Sequence, residues 1–217
     1  MIIIRSELEL PRQYQDMDEI CQRVFNDREN FPDKDYRKRK GIVKDILEEY
    51  WPLRKLVEFL GNDSMGYLSP QSHKGPDAVV SNNDGKHTVQ ITCGNQSYKE
   101  ALNREMLSHK MIVLSDQEKE RDKKKKKIIG KGRALTTIEG KLRKQVQEVE
   151  KAIKRKIENF HEGTDFLLVD TDIRLSDTEL QYSWQDALRG RVLKLEYMLY
   201  KCIFIIHKHG VYPVKIA

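Results

Sequence analysis

Cysteine is scarce in this chain, and long apolar runs are missing from it. The 217 residues include three cysteines, Cys21, Cys93 and Cys202, which lie far apart and form no C-x-x-C pair. A disulfide framework and a zinc knuckle are both disfavoured, and reduced thiols in a cytoplasm are the better interpretation. No apolar run approaches the roughly 18 residues of a membrane-spanning helix, and the three isoleucines after Met1 are too few for a signal peptide. We therefore expect a cytoplasmic protein with no membrane partner.

Positive charge is concentrated in one segment. From Lys119 to Phe160, sixteen Lys and Arg stand against six Asp and Glu, whereas the rest of the chain carries 24 against 28. A basic segment on a slightly acidic body is typical of a protein that binds a polyanion, such as DNA or another nucleic acid. The alternative is a solvated helix face and a lysine loop that serves only solubility.

Hydrophobic periodicity predicts a mixture of helices and strands. Apolar residues at helical spacing predict helices over 8–31, 42–60, 96–110, 137–160 and 182–197. Short apolar runs predict strands at 66–68, 77–81, 88–94, 166–170, 202–207 and 211–216. This order indicates an α/β or α+β fold, with a mixed central sheet flanked by helices.

The same pattern predicts how the chain is organised. We expect a single domain over 1–217, because no linker or repeat divides it. Its predicted parts are an N-terminal helical arm (1–40), a core (42–170) that includes a basic mobile loop (118–136), and a C-terminal helix with two strands (171–217).

Polar residues collect in one predicted hairpin. Pro76 and Asp77 open its first strand, a turn follows at 82–85, and the second strand carries Gln90 and Thr92. Because side chains alternate faces along a strand, Gln90 and Thr92 lie on the same face and their apolar neighbours lie on the other. The hairpin therefore brings one carboxylate, one amide and one hydroxyl to a single polar edge.

This hairpin resembles the metal-binding hairpin of the PD-(D/E)XK, or restriction-endonuclease-like, nuclease superfamily. Pro76, Asp77 and Gln90 match its motif, and the glutamine resembles the Mrr-like branch, whose motif reads Q-x-K. Here Thr92 stands in place of the motif lysine. The predicted order over 42–170 (helix, three-strand meander, helix, strand) is also that of the superfamily. The resemblance implies a restriction-endonuclease-like core.

The resemblance also implies a divalent metal, Mg²⁺ or Mn²⁺, and a set of site residues. Asp77 and Gln90 would bind the metal, and Glu49, or the glutamate before it, would add a carboxylate from the preceding helix. Lys99 on the following helix, or Thr92, would orient the water that attacks the phosphodiester and offset the charge that develops there.

The nucleic acid would be held by the basic segment. The helix over 141–156 and the charged loop before it offer cations to the phosphate backbone, and such binding weakens steeply with salt. The individual candidates are Gln96, Lys123, Lys124, Lys125, Lys126, Lys127, Lys131 and Arg133.

Three functions stay open at this point. The first is a Mg²⁺-dependent endonuclease acting on DNA. The second is a catalytically impaired module of the same fold, which binds nucleic acid or a protein partner without cleavage. The third is an interaction protein whose lysine tract is only solubilising. A homodimer also stays open. The Gly130–Arg133 segment does not match a nucleotide-binding P-loop.

Overall fold

The computed structural model describes nine stretches of the chain. They are residues 3–26, 41–70, 75–94, 117–122, 127–133, 138–171, 186–191, 199–207 and 210–215. Within these stretches, no helix is both long enough and apolar enough to cross a bilayer.

The described residues contain five helices. They are α1 (Arg5–Leu8), α2 (Tyr14–Asn26), α3 (residues 42–60), α4 (Ile138–Glu158) and a short helical stretch, α5, at 186–191. The third helix, α3, consists of α-helical Ile42–Asp45, π-helical Ile46–Tyr50 and α-helical Trp51–Leu60. Pro52 has no N–H to donate, and the hydrogen-bond ladder widens directly before it. A π turn thus precedes Pro52, and it carries Glu48 and Glu49.

The centre of the molecule is a six-stranded mixed sheet. Its strands are β1 (Met65–Leu68), β2 (Ala78–Asn82), β3 (Gly85–Cys93), β6 (Phe166–Asp170), β7 (Cys202–His207) and β8 (Gly210–Lys215), and they neighbour one another in that order. The β1–β2–β3 meander is antiparallel, β3–β6 and β6–β7 are parallel, and β7–β8 is antiparallel. The mixed sheet flanked by helices confirms the predicted fold class.

The turn between β2 and β3 forms where the sequence predicts it. Asn82 pairs with Gly85, and the Asn82 side-chain oxygen accepts a hydrogen bond from the Asp84 N–H at 3.0 Å. Gly85 has a φ of +125°, a value that favours glycine. This turn sets the register that places Ala78 opposite Val89.

Two apolar cores lie on the two faces of the sheet. The first packs α1, α2 and α3 against one face, and its β3 members are Val89 and Ile91. The second packs α4 against the other face, through Val146, Val149 and Ile153. Gln90 and Thr92 therefore point to the α4 side, as the strand alternation predicts.

Helix α4 approaches the sheet closely at the end of β3. A Cβ added to Gly94 would lie 2.9 Å from Val149 Cγ2 and 3.1 Å from Val169 Cγ1. Real side chains do not approach that closely, so the absence of a Cβ at Gly94 allows the helix to pack directly on β3 and β6.

Two predicted parts differ from the structure. Helix α2 is not a separate arm, because Met17, Ile20 and Val24 are buried in the first core. The predicted basic loop contains a two-stranded antiparallel sheet of β4 (Gln117–Asp122) and β5 (Lys127–Arg133). The high charge of this tract masked its strand character; backbone pairing within a hairpin requires no apolar face.

Candidate active site

Asp77 lies at the start of β2 and is fixed to the neighbouring strand. Its Oδ2 accepts a hydrogen bond from the Ile91 N–H at 2.7 Å, and the Lys156 ammonium lies 3.5 Å from the same oxygen. Its Oδ1 forms no hydrogen bond or ion pair with the described part of the chain. The side chain is 34% exposed. Asp77 is thus a well-oriented carboxylate, and one of its oxygens has no partner among the described residues.

Glu49 reaches the same end of the sheet from the π turn of α3. Its Oε2 lies 3.4 Å from the Arg5 guanidinium, and its Oε1 has no partner among the described residues. Burial raises the pKa of Glu49, and the negative charges of Asp45 and Asp77 raise it further against the opposing effect of Arg5. The charge of Asp77 is among the causes of this shift, so the two carboxylates lie near enough for their charges to interact.

Arg5 is a member of this site that sequence reasoning missed. Its guanidinium contacts Asp45 at 3.1 Å as well as Glu49, and it donates a hydrogen bond to the Ser69 carbonyl oxygen at 3.1 Å. These contacts tie α1, α3 and the loop before β2 together. No local pattern marks Arg5, because its partners are far away in sequence.

Gln90 is buried rather than open to a ligand. It is 1% exposed, and its Oε1 accepts a hydrogen bond from the Tyr200 hydroxyl at 2.5 Å. Tyr200 precedes β7 and is itself 2% exposed. Burial and the negative charge of Asp77 both raise the pKa of Tyr200, so its hydroxyl stays protonated and acts as a donor.

Thr92 is also buried, and its hydroxyl has a partner. The Arg155 guanidinium donates a hydrogen bond to Thr92 Oγ1 at 3.1 Å. Arg155 precedes Lys156 in the last turn of α4. Neighbouring cations of one helix thus engage the two strands of the hairpin, one at Thr92 and one at Asp77.

Several predicted residues lie outside the described chain. They are Gln96, Lys99, Lys123, Lys124, Lys125 and Lys126. Lys127, Lys131 and Arg133 belong to β5, whose backbone pairs with β4.

The exposed face of α4 carries cations in pairs with glutamates. Lys151 lies 2.9 Å from Glu148, and Lys154 lies 3.1 Å from Glu150. Both lysine side chains are at least half exposed. Exposed pairs of this kind contribute about 0–1 kcal/mol, so they do not prevent the lysines from contacting phosphate.

The donor set at Asp77 fits a hard divalent cation in part. Asp77 and Glu49 each present an open carboxylate oxygen, and Mg²⁺ commonly takes one or two carboxylates with water and phosphate. Gln90 does not fit as a ligand, because its oxygen is buried and accepts the Tyr200 proton. The described residues contain no group of three His, Cys, Asp or Glu side chains that would form an all-protein metal site.

A second aspartate, Asp165, is held by Thr88, which lies three residues before Ile91 on β3. Its Oδ2 accepts hydrogen bonds from the Thr88 N–H at 3.0 Å and from the Thr88 hydroxyl at 3.2 Å. The Lys201 ammonium lies 2.6 Å from Oδ1. His87 Nδ1, which has no hydrogen-bond partner in the part of the chain that the structure describes, is 3.9 Å from Oδ2. Every oxygen of Asp165 is thus engaged.

Sequence reasoning missed the cation at Asp77. The structure supplies Lys156 from the end of α4, the helix that leads into β6. A topological argument could have found it: β6 pairs in parallel with β3, so the helix that precedes β6 ends near the middle of β3. No comparable feature of the sequence pointed to Tyr200 as a partner of Gln90.

Comparisons with known proteins found no match for this chain. No protein-family model, no curated protein and no solved structure matches this chain.

Proposed function

We propose that this chain is a metal-dependent phosphodiesterase of the restriction-endonuclease-like type, acting on DNA in the cytoplasm. One observation carries the proposal. Asp77 is oriented by the Ile91 N–H, keeps one open oxygen beside the carboxylate of Glu49, and has the Lys156 ammonium 3.5 Å from its other oxygen. Two carboxylates and a lysine at one end of a sheet can serve phosphodiester hydrolysis.

In this proposal, Asp77 and Glu49 would hold Mg²⁺ or Mn²⁺. The bound metal would supply Lewis-acid stabilisation of the phosphate and lower the pKa of coordinated water. Arg5 keeps Glu49 oriented, and the Ile91 N–H does the same for Asp77. Gln90 does not contact the metal in this proposal; it is buried and accepts a hydrogen bond from Tyr200.

Lys156 takes the role that the motif lysine has in the superfamily. Thr92 can accept a hydrogen bond from Arg155 but carries no charge. The Lys156 ammonium lies at the carboxylate itself, where it can stabilise the negative charge that develops on the phosphate. Lys99 becomes unnecessary for this purpose.

DNA would be held by charge alone. Lys151 and Lys154 on α4, together with the lysines of residues 123–133, provide cations without a base-reading pattern. We expect binding that is independent of sequence and that weakens steeply as salt rises.

A specific observation also favours the second candidate, a module that binds nucleic acid without cleavage. The Asp77–Lys156 ion pair offsets the charge of the main candidate ligand, and Gln90 and Thr92 are both occupied by other side chains. Such a site could be a relic whose groups now stabilise the fold.

Plasmid nicking with Mg²⁺ or Mn²⁺ distinguishes the candidates. The variant is Asp77→Asn, which keeps an oxygen for the Ile91 N–H but removes the charge. The control is Asp84→Asn, in the exposed β2–β3 turn. We expect metal-dependent nicking by the wild type and by the control, and a loss of about 100-fold or more in Asp77→Asn.

Other results have different meanings. Equal nicking by wild type and Asp77→Asn would reject the assignment of the site. No nicking, with DNA binding that falls steeply with salt, would favour the binding module. The absence of both would reject nucleic acid as the partner.

A further inference from the structure

Tyr200 joins three parts of the molecule at one hydroxyl. The hydroxyl lies 2.5 Å from Gln90 Oε1 on β3 and 3.2 Å from the main-chain oxygen of Lys156 on α4. The Tyr200 ring packs edge-on against Phe160, with ring centroids 5.1 Å apart. Tyr200 therefore connects the strand, the last turn of the helix and the segment before β7.

The hydrogen-bonding chemistry gives each group a defined part. A tyrosine hydroxyl has one proton, and the shorter contact assigns it to Gln90. The Lys156 carbonyl lies within reach as a second acceptor. Carbonyl groups in the last turn of a helix have no partner inside the helix, so an outside donor is favourable there. Gln90, which is almost completely buried, fixes where the hydroxyl lies.

Tyr200 contacts the main chain of Lys156, the residue whose side chain lies beside Asp77. The Lys156 main-chain oxygen faces Tyr200 while its ammonium lies 3.5 Å from Asp77 Oδ2. A lysine side chain is long and flexible, so its ammonium is localised only if the backbone that carries it is held. Arg155, in the same turn, adds a second anchor at Thr92.

We infer that Gln90 and Tyr200 form a positioning pair, which holds the last turn of α4 against β3 and so keeps the Lys156 ammonium at Asp77. The catalytic role of this pair rests on the proposed function, whereas the hydrogen bond between Tyr200 and Gln90 does not. Gln90 would then act through Tyr200 and Lys156, and not as a metal ligand.

Lysine acylation followed by mass spectrometry tests the positioning without nucleic acid or metal. The Lys156 side chain is 21% exposed and ion-paired to Asp77, whereas Lys151 on the same helix is 69% exposed. In the wild type, we expect Lys156 to react about five-fold or more slowly than Lys151. Equal rates would overturn the inference, because Lys156 would not be held.

Two variants then test the pair. Tyr200→Phe removes the donor, and Gln90→Met removes the acceptor while keeping a similar volume. We expect each to raise the Lys156 rate about five-fold relative to Lys151. Tyr67→Phe is the control, because the Tyr67 hydroxyl makes no hydrogen bond with the described residues. A Lys156 rate that stays at the wild-type value in both folded variants would overturn the inference.

Unfolding of a variant is recognisable in the same experiment. It would accelerate Lys55, a partly buried lysine that lies over the Trp51 ring on the other face of the sheet, as well as Lys156. The wild-type comparison of Lys156 with Lys151 would then decide. If the chain nicks DNA, Tyr200→Phe should lower kcat per folded molecule and leave KM near the wild-type value. The folded fraction is measured by circular dichroism, because a loss of folded molecules alone also lowers the apparent kcat. If nicking is absent but the labelling result holds, the proposed function fails and the positioning pair stands.

Discussion

Asp77 and Asp165 are two aspartates that β3 holds in a similar way. Each accepts a hydrogen bond from a main-chain N–H of this strand, Ile91 for Asp77 and Thr88 for Asp165. Each also has a lysine ammonium within ion-pair distance. The residues thus share an anchor and a counter-charge, and their anchors lie three residues apart on one strand.

The two aspartates differ in how many of their carboxylate oxygens have partners among the described residues. Both oxygens of Asp165 are engaged, the Lys201 ion pair is shorter (2.6 against 3.5 Å), and the side chain is 19% exposed. Asp77 keeps one oxygen open, is more exposed, and lies near a second carboxylate, Glu49. A fully engaged carboxylate is a structural tie, whereas an oriented carboxylate with an open oxygen can still bind a ligand.

The pKa shifts in the two regions also have opposite directions. Burial alone would raise the pKa of Asp165. The Lys201 ammonium and the hydrogen bonds from Thr88 lower it by a larger amount, so the net shift is downward. The pKa of Glu49, near Asp77, is raised by burial and by its acidic neighbours. Ionisation therefore stabilises the fold at Asp165 and costs stability at Glu49.

The largest expected effect comes from removing the cation at Asp77. Lys156→Met keeps the apolar stem of the side chain and removes its charge. We expect kcat for plasmid nicking to fall by about 100-fold, because the developing phosphate charge loses its stabilising ammonium. DNA binding should change little, since Lys156 is largely buried.

The matched control is Lys151→Met, on the exposed face of the same helix. It should weaken DNA binding slightly and leave kcat unchanged. If the two variants behave alike, Lys156 is one more phosphate contact and the comparison with the motif lysine fails.

A smaller effect is expected at Glu49. A protonated carboxyl binds Mg²⁺ poorly, and the pKa of Glu49 is raised, so nicking should begin to decline at a pH above the usual range of a glutamate. Glu49→Gln should lower the rate about ten-fold and remove this acidic limb from the pH profile.

Glu58→Gln, also on α3 and also paired with an arginine, is the control for this profile. Its pH dependence should match that of the wild type. An acidic limb that persists unchanged in Glu49→Gln would assign it to another group.

The smallest effect concerns stability and Asp165. Asp165→Asn should lower the free energy of unfolding by about 1 to 2 kcal/mol near neutral pH, because the charged pair with Lys201 is lost. The pKa of Asp165 is lower in the fold than in the unfolded chain, so its contribution is present above the unfolded pKa and disappears as the pH falls through the folded one.

Urea unfolding at neutral and at acidic pH measures this contribution. The difference between wild type and Asp165→Asn should shrink in acid, while nicking per folded molecule stays normal. A difference that is equal at both pH values would indicate lost packing in place of lost charge.

The sheet and its hairpin were predictable because their signals are local. The alternation of Gln90 and Thr92 with apolar neighbours defines the two faces of β3, and the 82–85 turn defines its register. The surrounding helices follow from apolar spacing. The β4–β5 hairpin was missed, because its charged residues resemble a solvated loop.

The partners in the site were much less predictable. Gln90 was expected at an open polar edge, yet α4 and Tyr200 cover it. Lys156 lies among the apolar positions of α4, and only the crossover from β3 to β6 brings it to Asp77. Side chains that meet from distant parts of the chain leave no spacing pattern, so the identity of the cation had to come from the structure.

Binding of Mn²⁺, followed by electron paramagnetic resonance in the absence of nucleic acid, tests the central claim most directly. The account predicts that the wild type binds Mn²⁺, that Asp77→Asn weakens the binding at least about ten-fold, and that Asp165→Asn leaves it unchanged. Equal Mn²⁺ affinity of the wild type and Asp77→Asn, or no binding by the wild type, would contradict it.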